Sequence, residues 1–92
     1  MPKVRYSRKA DADLDEIASF IIENWGVDQA ENYVDDLYEI CRLIAQHPLI
    51  GRPYGSIHPT WRRLEHTSHV VLYSRTRSGI TVQRIMHKTR LL

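Results

Sequence analysis

Two stretches of helical hydrophobic spacing meet at a single glycine, and that junction limits the folds open to this chain. Leu14, Ile17, Ala18 and Ile21 recur at i, i+3, i+4 and i+7, one face of an α-helix. Ser7 stands ahead of them, placed to accept a bond from a free backbone N–H. Asp11, Asp13, Asp15 and Glu16 fall in the first half of that helix, where the macrodipole favours negative charge. The pattern predicts a helix running to Asn24 or Trp25, closed by Gly26 in a left-handed C-terminal cap. Asp28 then offers an N-cap, with Glu31 three residues on as in a capping box. Ala30, Tyr33, Val34, Leu37, Ile40, Cys41 and Ile44 mark one face of a second helix. It ends near Gln46, because the residue before Pro48 is biased away from helical angles. So few residues join the two helices that they must fold back as an antiparallel hairpin.

The flanks are strand-like. Val4-Arg5-Tyr6 reads as a short edge strand before the first helix. Leu49 to Thr60, with Gly51, Pro53, Gly55 and Pro59, reads as an ordered loop. Trp61 to Glu65, His69 to Arg75 and Ile80 to Met86 then read as three strands. Thr67-Ser68 and Thr76 to Gly79 are turns too short for anything but antiparallel hairpins. The expected fold is therefore α+β: an N-terminal strand, an antiparallel helical hairpin and a C-terminal three-stranded antiparallel meander. Within it, Val70-Val71-Leu72-Tyr73 is apolar on consecutive positions, so both faces of the middle strand call for burial. The helices can cover one face only. Leu49, Ile50, Ile57 and Trp61, from the loop and its end, are candidates to cover the other, or a partner does so.

Ninety-two residues predict one domain, spanning 1–92, that buries about 60–65% of its unfolded surface and so has a marginal core. Cys41 is the one cysteine and cannot form an internal disulfide, which points to a reducing compartment. It lies on the apolar stripe of the second helix and reads as a small buried hydrophobe rather than a reactive thiol. Met1 to Arg5 is charged with no apolar run after it, so no signal peptide is expected. No apolar run approaches the roughly 20 residues of a membrane span. A cytoplasmic location without membrane contact is the resulting expectation.

The net charge of +2 conceals a strong asymmetry. Residues 1–10 carry +4, residues 11–39 carry −10 with no lysine or arginine, and residues 40–92 carry +8. Such segregation gives separate acidic and basic faces, which either attract each other or await partners. Arg62, Arg63, Arg75, Arg77, Arg84, Lys88 and Arg90 suit RNA phosphates or an acidic protein surface. Stacking aromatics are sparse among them, with Trp61 and Tyr73 only, which disfavours a free-standing nucleic-acid binder. Tyr73 sits inside the apolar run and reads as a packing residue. No phosphate-binding glycine loop, HExxH or CxxC occurs. His66 and His69 flank a turn and face each other, but two imidazoles lack a third ligand, so no metal and no cofactor is expected.

These segments, taken in order, resemble a known family. Tyr6-Ser7-Arg8-Lys9-Ala10-Asp11-Ala12-Asp13-Leu14-Asp15-Glu16-Ile17 is similar to the opening of the RelE/ParE toxins, where a strand enters a helix with an Ala-x-x-Asp-Leu-x-x-Ile pattern. Trp25-Gly26 with Gln29-Ala30 resembles the ParE helix junction. Pro48-Leu49-Ile50-Gly51-Arg52 resembles the family's Pro-x-x-Gly-Arg signature, and the three terminal strands correspond as well. The resemblance implies the toxin of a type II toxin–antitoxin module, of ParE type. It further implies plasmid stabilisation, poisoning of DNA gyrase, and a hetero-oligomer with a ParD-like antitoxin. The partner-binding residues expected are Ile22, Trp25, Tyr38, Arg62, Arg63 and Arg84.

The RelE branch offers the alternative of ribosome-dependent mRNA cleavage. There His87 would act as acid or base among Arg63, Arg84 and Arg90, with Glu65 nearby. The tail, His87-Lys88-Thr89-Arg90-Leu91-Leu92, has no tyrosine, and the ParE reading carries no catalytic residue.

Overall fold

Ser7 fixes where the chain turns from strand to helix. Its backbone is extended, and its Oγ accepts from the Ala10 N–H at 3.0 Å while donating to the Gln83 carbonyl at 2.7 Å. One hydroxyl thus caps a helix and pins it to the far end of the sequence. The computed structural model describes residues 1–55 and 58–91. In chain order it contains β1 (Lys3–Tyr6), α1 (Arg8–Trp25), α2 (Val27–Gln46), β2 (Arg52–Pro53), β3 (Trp61–His66), β4 (His69–Arg75), β5 (Gly79–His87) and a 3-10 turn (Lys88–Arg90). The strands form one sheet in the order β1-β5-β4-β3-β2. β1 is an edge strand, as expected, and pairs parallel to β5; every other pairing is antiparallel.

Gly26 alone joins the helices. Its N–H donates to the Ile22 carbonyl at 3.0 Å and its own carbonyl accepts from Ala30 at 3.2 Å. The expected left-handed cap is corrected in detail. With φ 92° and ψ 171°, Gly26 occupies a region visited essentially by glycine alone, beyond the left-handed helical well. Asp28 is not the N-cap either. Because the Gly26 carbonyl already starts the second ladder, α2 begins at Val27 and Asp28 falls in its first turn, without a side-chain cap bond.

The expected loop 49–60 contains one element that periodicity cannot show. β2 is two residues long, pairing Arg52 with Arg63 and Pro53 with Arg62. Two residues are too few to display alternation, and a proline at the sheet edge needs no ladder donor.

The core lies between the helices and one face of the sheet. Leu14, Ile17 and Ile21 of α1 and Leu37, Cys41 and Ile44 of α2 meet Val71, Tyr73, Ile80, Val82 and Ile85. Cys41 is fully buried, and burial pushes its thiol up to about 11, as suits an inert packing residue. Val70 and Leu72 point to the opposite face, yet they are only 0% and 1% exposed. Leu49 and Ile50, candidates to cover that face, are instead 60% and 47% exposed. Tyr54, His58 and Trp61 gather beside Leu72 instead. Ile57 lies outside the described residues.

Tyr73 shows why glycine stands in the Pro-x-x-Gly-Arg segment. Its phenol donates to the Pro48 carbonyl at 2.9 Å and accepts from the Gly51 N–H at 2.9 Å. A Cβ on Gly51 would lie 2.6 Å from both the Arg63 carbonyl oxygen and that phenol oxygen. The loop therefore closes onto the sheet only through a residue without a side chain.

A bulge in β5 sets up the functional region. Leu72 pairs with Arg84 but Tyr73 pairs with Val82, which leaves Gln83 as the extra residue. β1 pairs only with Gly79 to Val82 and then turns away into α1. The β1-side edge of β5 from Arg84 to His87 consequently carries no strand.

Candidate partner groove

Asp13 occupies that vacated edge. It sits three residues after Ala10 and four before Ile17, so the helical period turns it onto the apolar face of α1. There it is 7% exposed. Its Oδ2 accepts from the Ile85 N–H at 2.9 Å and from Arg84 Nε at 2.8 Å, and its Oδ1 accepts from Arg84 Nη2 at 3.0 Å. One carboxylate thereby replaces a missing ladder partner and holds a guanidinium in bidentate geometry. The bond to Asp13 raises the Arg84 pKa further above its usual value. As an acid near a helix start, Asp13 reads in the sequence as one of four dipole partners; its position within the apolar stripe is the signal that separates it from the others.

Between α1 and this edge runs a groove of about 650 Å³. Ile17, Phe20, Ile21 and Trp25 form its apolar wall. Arg84, Met86, His87 and Arg90, from β5 and the 3-10 turn, form the facing wall. Phe20 and Trp25 are 59% and 65% exposed and touch edge-to-face at 5.9 Å. Large apolar side chains left in water beside a groove mark an interaction surface. Asp13 and Glu16 balance Arg84 and Arg90 among its lining residues, so apolar contact rather than net charge would carry binding here.

A polar cluster closes one end. His66 pairs with His69 across the β3–β4 turn, and His69 pairs with His87 across β4 and β5, so the three share a sheet face. The Tyr33 hydroxyl lies 2.5 Å from His69 Nδ1 and 2.7 Å from Thr67 Oγ1. Thr67 has φ 50°, unusual for a β-branched residue, and this contact helps to hold it there. Among the described residues no group of three or more His, Cys, Asp or Glu side chains is arranged to hold a metal ion. Burial lowers the His69 pKa below its usual 6.5, and His87 and His66 add to the effect. The unfolded chain therefore takes up this proton more readily than the native one. The stabilising contribution is complete above about pH 6.5 and is lost as pH falls through the lower native value. Urea unfolding at stepped pH should show stability declining below that point, and His69→Gln should flatten the decline. An unchanged slope in that variant would contradict the assignment.

The residues singled out from sequence separate into two groups. Trp25, Arg84, His87 and Arg90 come together on the groove. Ile22 is 44% exposed on α1 and does not line it. Tyr38 is half-buried and packs edge-to-face on Tyr6 at 5.6 Å. Arg62 donates to the Gly51 carbonyl, and Arg63 pairs with Glu65 at 3.0 Å. Arg52 also binds Glu65, and the bonds from Arg52 and Arg63 lower the Glu65 pKa. Phe20, Tyr33 and Asp13 were missing from the expected set. Phe20 lies three residues after Ile17 and continues the apolar face, whereas Tyr33 is indistinguishable in sequence from a core residue.

Fold and groove define a small α+β interaction domain with an exposed apolar cleft at an open sheet edge. The family described as "ParE toxin of type II toxin-antitoxin system, parDE" matches residues 4–92. The chain is 38% identical to Toxin ParE1 of Caulobacter vibrioides over 91 residues, covering 97% of this chain and 92% of that protein. It is 40% identical to Toxin ParE1 of Mycobacterium tuberculosis over 83 residues, covering 89% and 85%. Among solved structures, a chain of the chromosomal ParDE TA system from P. aeruginosa superposes with a TM-score of 0.78 at 27% identity, covering 95% of this chain and 96% of that one. The chain belongs to the ParE toxin family of type II toxin–antitoxin systems. The expected α+β architecture agrees with this relative. No helix among the described residues is long and apolar enough to cross a membrane.

Proposed function

We propose that this ParE-type toxin poisons DNA gyrase in the cytoplasm by non-covalent binding. A ParD-like antitoxin, seated in the α1–β5 groove, neutralises it as a hetero-oligomer. The observation that carries the antitoxin reading is the pairing of an apolar wall, Phe20 and Trp25, with a strand edge at Arg84 to His87 that no other strand covers. An amphipathic segment can lay its apolar face on the wall or add a strand at the edge. Phe20 and Trp25 are large, exposed and adjacent, the profile of interface residues that dominate affinity. Trp25→Ala should weaken antitoxin binding about thirtyfold, near 2 kcal/mol, by calorimetry. An unchanged affinity would place the antitoxin elsewhere.

The non-enzymatic reading is supported by the occupations of the would-be catalytic groups. Arg84 is held by Asp13, Arg63 by Glu65, and His87 Nδ1 by Thr89 Oγ1 at 2.8 Å. A supercoiling and DNA-cleavage assay with purified gyrase tests it: the expected result is inhibition with trapped breaks, and the absence of both would sink it. The RelE-type alternative rests on His87, Arg84 and Arg90 sharing one groove. Primer extension on translated mRNA after induction decides between them, since codon-linked cuts abolished by His87→Ala would favour cleavage.

A further inference from the structure

We propose that the sheet face turned away from the helices carries a site for a nucleotide unit of single-stranded nucleic acid. A base extends the ring pile of Tyr54, His58 and Trp61, and its phosphate meets Arg8 and Lys9. The two sets of residues face one cleft of about 470 Å³, floored by Leu72 and Met86. That size falls within the usual range for small-ligand sites. Sequence spacing hides the arrangement, because Arg8 and Lys9 open α1 while the rings come from the far side of the sheet.

The ring pile is built for stacking. His58 and Trp61 lie face to face, with centroids 3.8 Å apart and planes 9° from parallel. Tyr54 lies 6.3 Å from Trp61 at 28° and 6.1 Å from His58 at 21°. All three rings are only half-buried, so the pile remains accessible. Near-parallel rings at a cleft accept one more flat ring, whichever base it is. This overturns the sparseness of stacking groups read from the sequence, where Trp61 and Tyr73 were the candidates. Tyr73 is buried on the other face, and Tyr54 and His58 take its place.

The charge at this cleft is one-sided. None of the 11 acidic residues of the chain is among its described lining residues. Arg8 and Lys9 are exposed, and among the described residues neither has an ion-pair partner. They also stand in the first turn of α1, where the macrodipole disfavours cations. Their charge thus does nothing evident for the fold. Arg84 reaches the same cleft but is committed to Asp13. An acidic peptide would use the cations and leave the rings idle, whereas a nucleotide uses both. This inference does not rest on the gyrase reading, because the binding concerns the toxin alone.

The test is fluorescence anisotropy of the full chain with a labelled short oligothymidylate and oligouridylate. A DNA duplex and an oligoglutamate peptide of similar charge serve as comparisons. Both single strands should bind more tightly than the duplex or the peptide, and any preference between them names the natural strand. Trp61→Ala should weaken binding about tenfold, the effect of one lost stacked base. Arg8→Gln with Lys9→Gln should lower the slope of log K against log salt by about 0.7, one single-strand phosphate's worth. This pair lies on the surface, so it keeps the test decisive even if Trp61→Ala does not fold. No single-strand binding at low salt, duplex or peptide binding of equal strength, or an unchanged salt slope would each overturn the proposal.

Discussion

Asp13→Ala should lower the unfolding free energy by about 3 kcal/mol, because it empties a buried carboxylate site that holds two distant groups. The substitution leaves Arg84 without its bidentate partner and the Ile85 N–H without an acceptor. Bonds to charged groups are worth about 1.5–3 kcal/mol each, and removing one member of a fully buried pair costs about 3–5. The Arg84 side chain is 30% exposed, so water recovers part of that loss and the lower figure applies. Asp13→Asn keeps one oxygen for the Ile85 amide and should lose roughly half as much. Urea unfolding with an unchanged m-value is the measurement. A loss under about 0.5 kcal/mol in Asp13→Ala, the range of ordinary surface changes, would remove the structural role assigned to it.

Gly51→Ala should destabilise by about 3 kcal/mol through overpacking. Its Cβ would meet the Arg63 carbonyl at 2.6 Å, and that carbonyl cannot retreat, because β3 is paired on both sides at Arg63. Tyr73→Phe should cost about 2 kcal/mol, since it strips the Gly51 N–H and the Pro48 carbonyl of a buried partner. The two changes act on one contact, so the double variant should lose less than their sum. Strict additivity in a double-mutant cycle would show that loop and sheet are held independently. Both variants also probe function, because the same closure positions β2 and, directly after it, Tyr54.

The helices were legible because their faces repeat. Leu14, Ile17 and Ile21, then Leu37, Cys41 and Ile44, follow a period that survives in any context. Short connections made the β3-β4-β5 meander legible in the same way. β2 was not legible, since a two-residue strand exists only through its neighbour. The site was half legible. Trp25, Arg84, His87 and Arg90 were singled out and do meet on one groove, whereas Arg62 and Arg63 are taken up in bonds to Gly51 and Glu65.

Local spacing and backbone chemistry by themselves determined the helical hairpin at Gly26, the meander and the burial of Cys41 and Tyr73, while the order of residue motifs along the chain carried the family resemblance. Only the tertiary structure decided where β1 leaves β5, and that departure creates the open edge, the role of Asp13 and the groove. It also decided that Arg8 and Lys9 share a cleft with Tyr54, His58 and Trp61. The reason is physical: a period or a cap is fixed by neighbours within a few residues. A bulge partner, an ion pair spanning 71 positions, or two walls of one cleft depend on which distant backbones come within bonding reach.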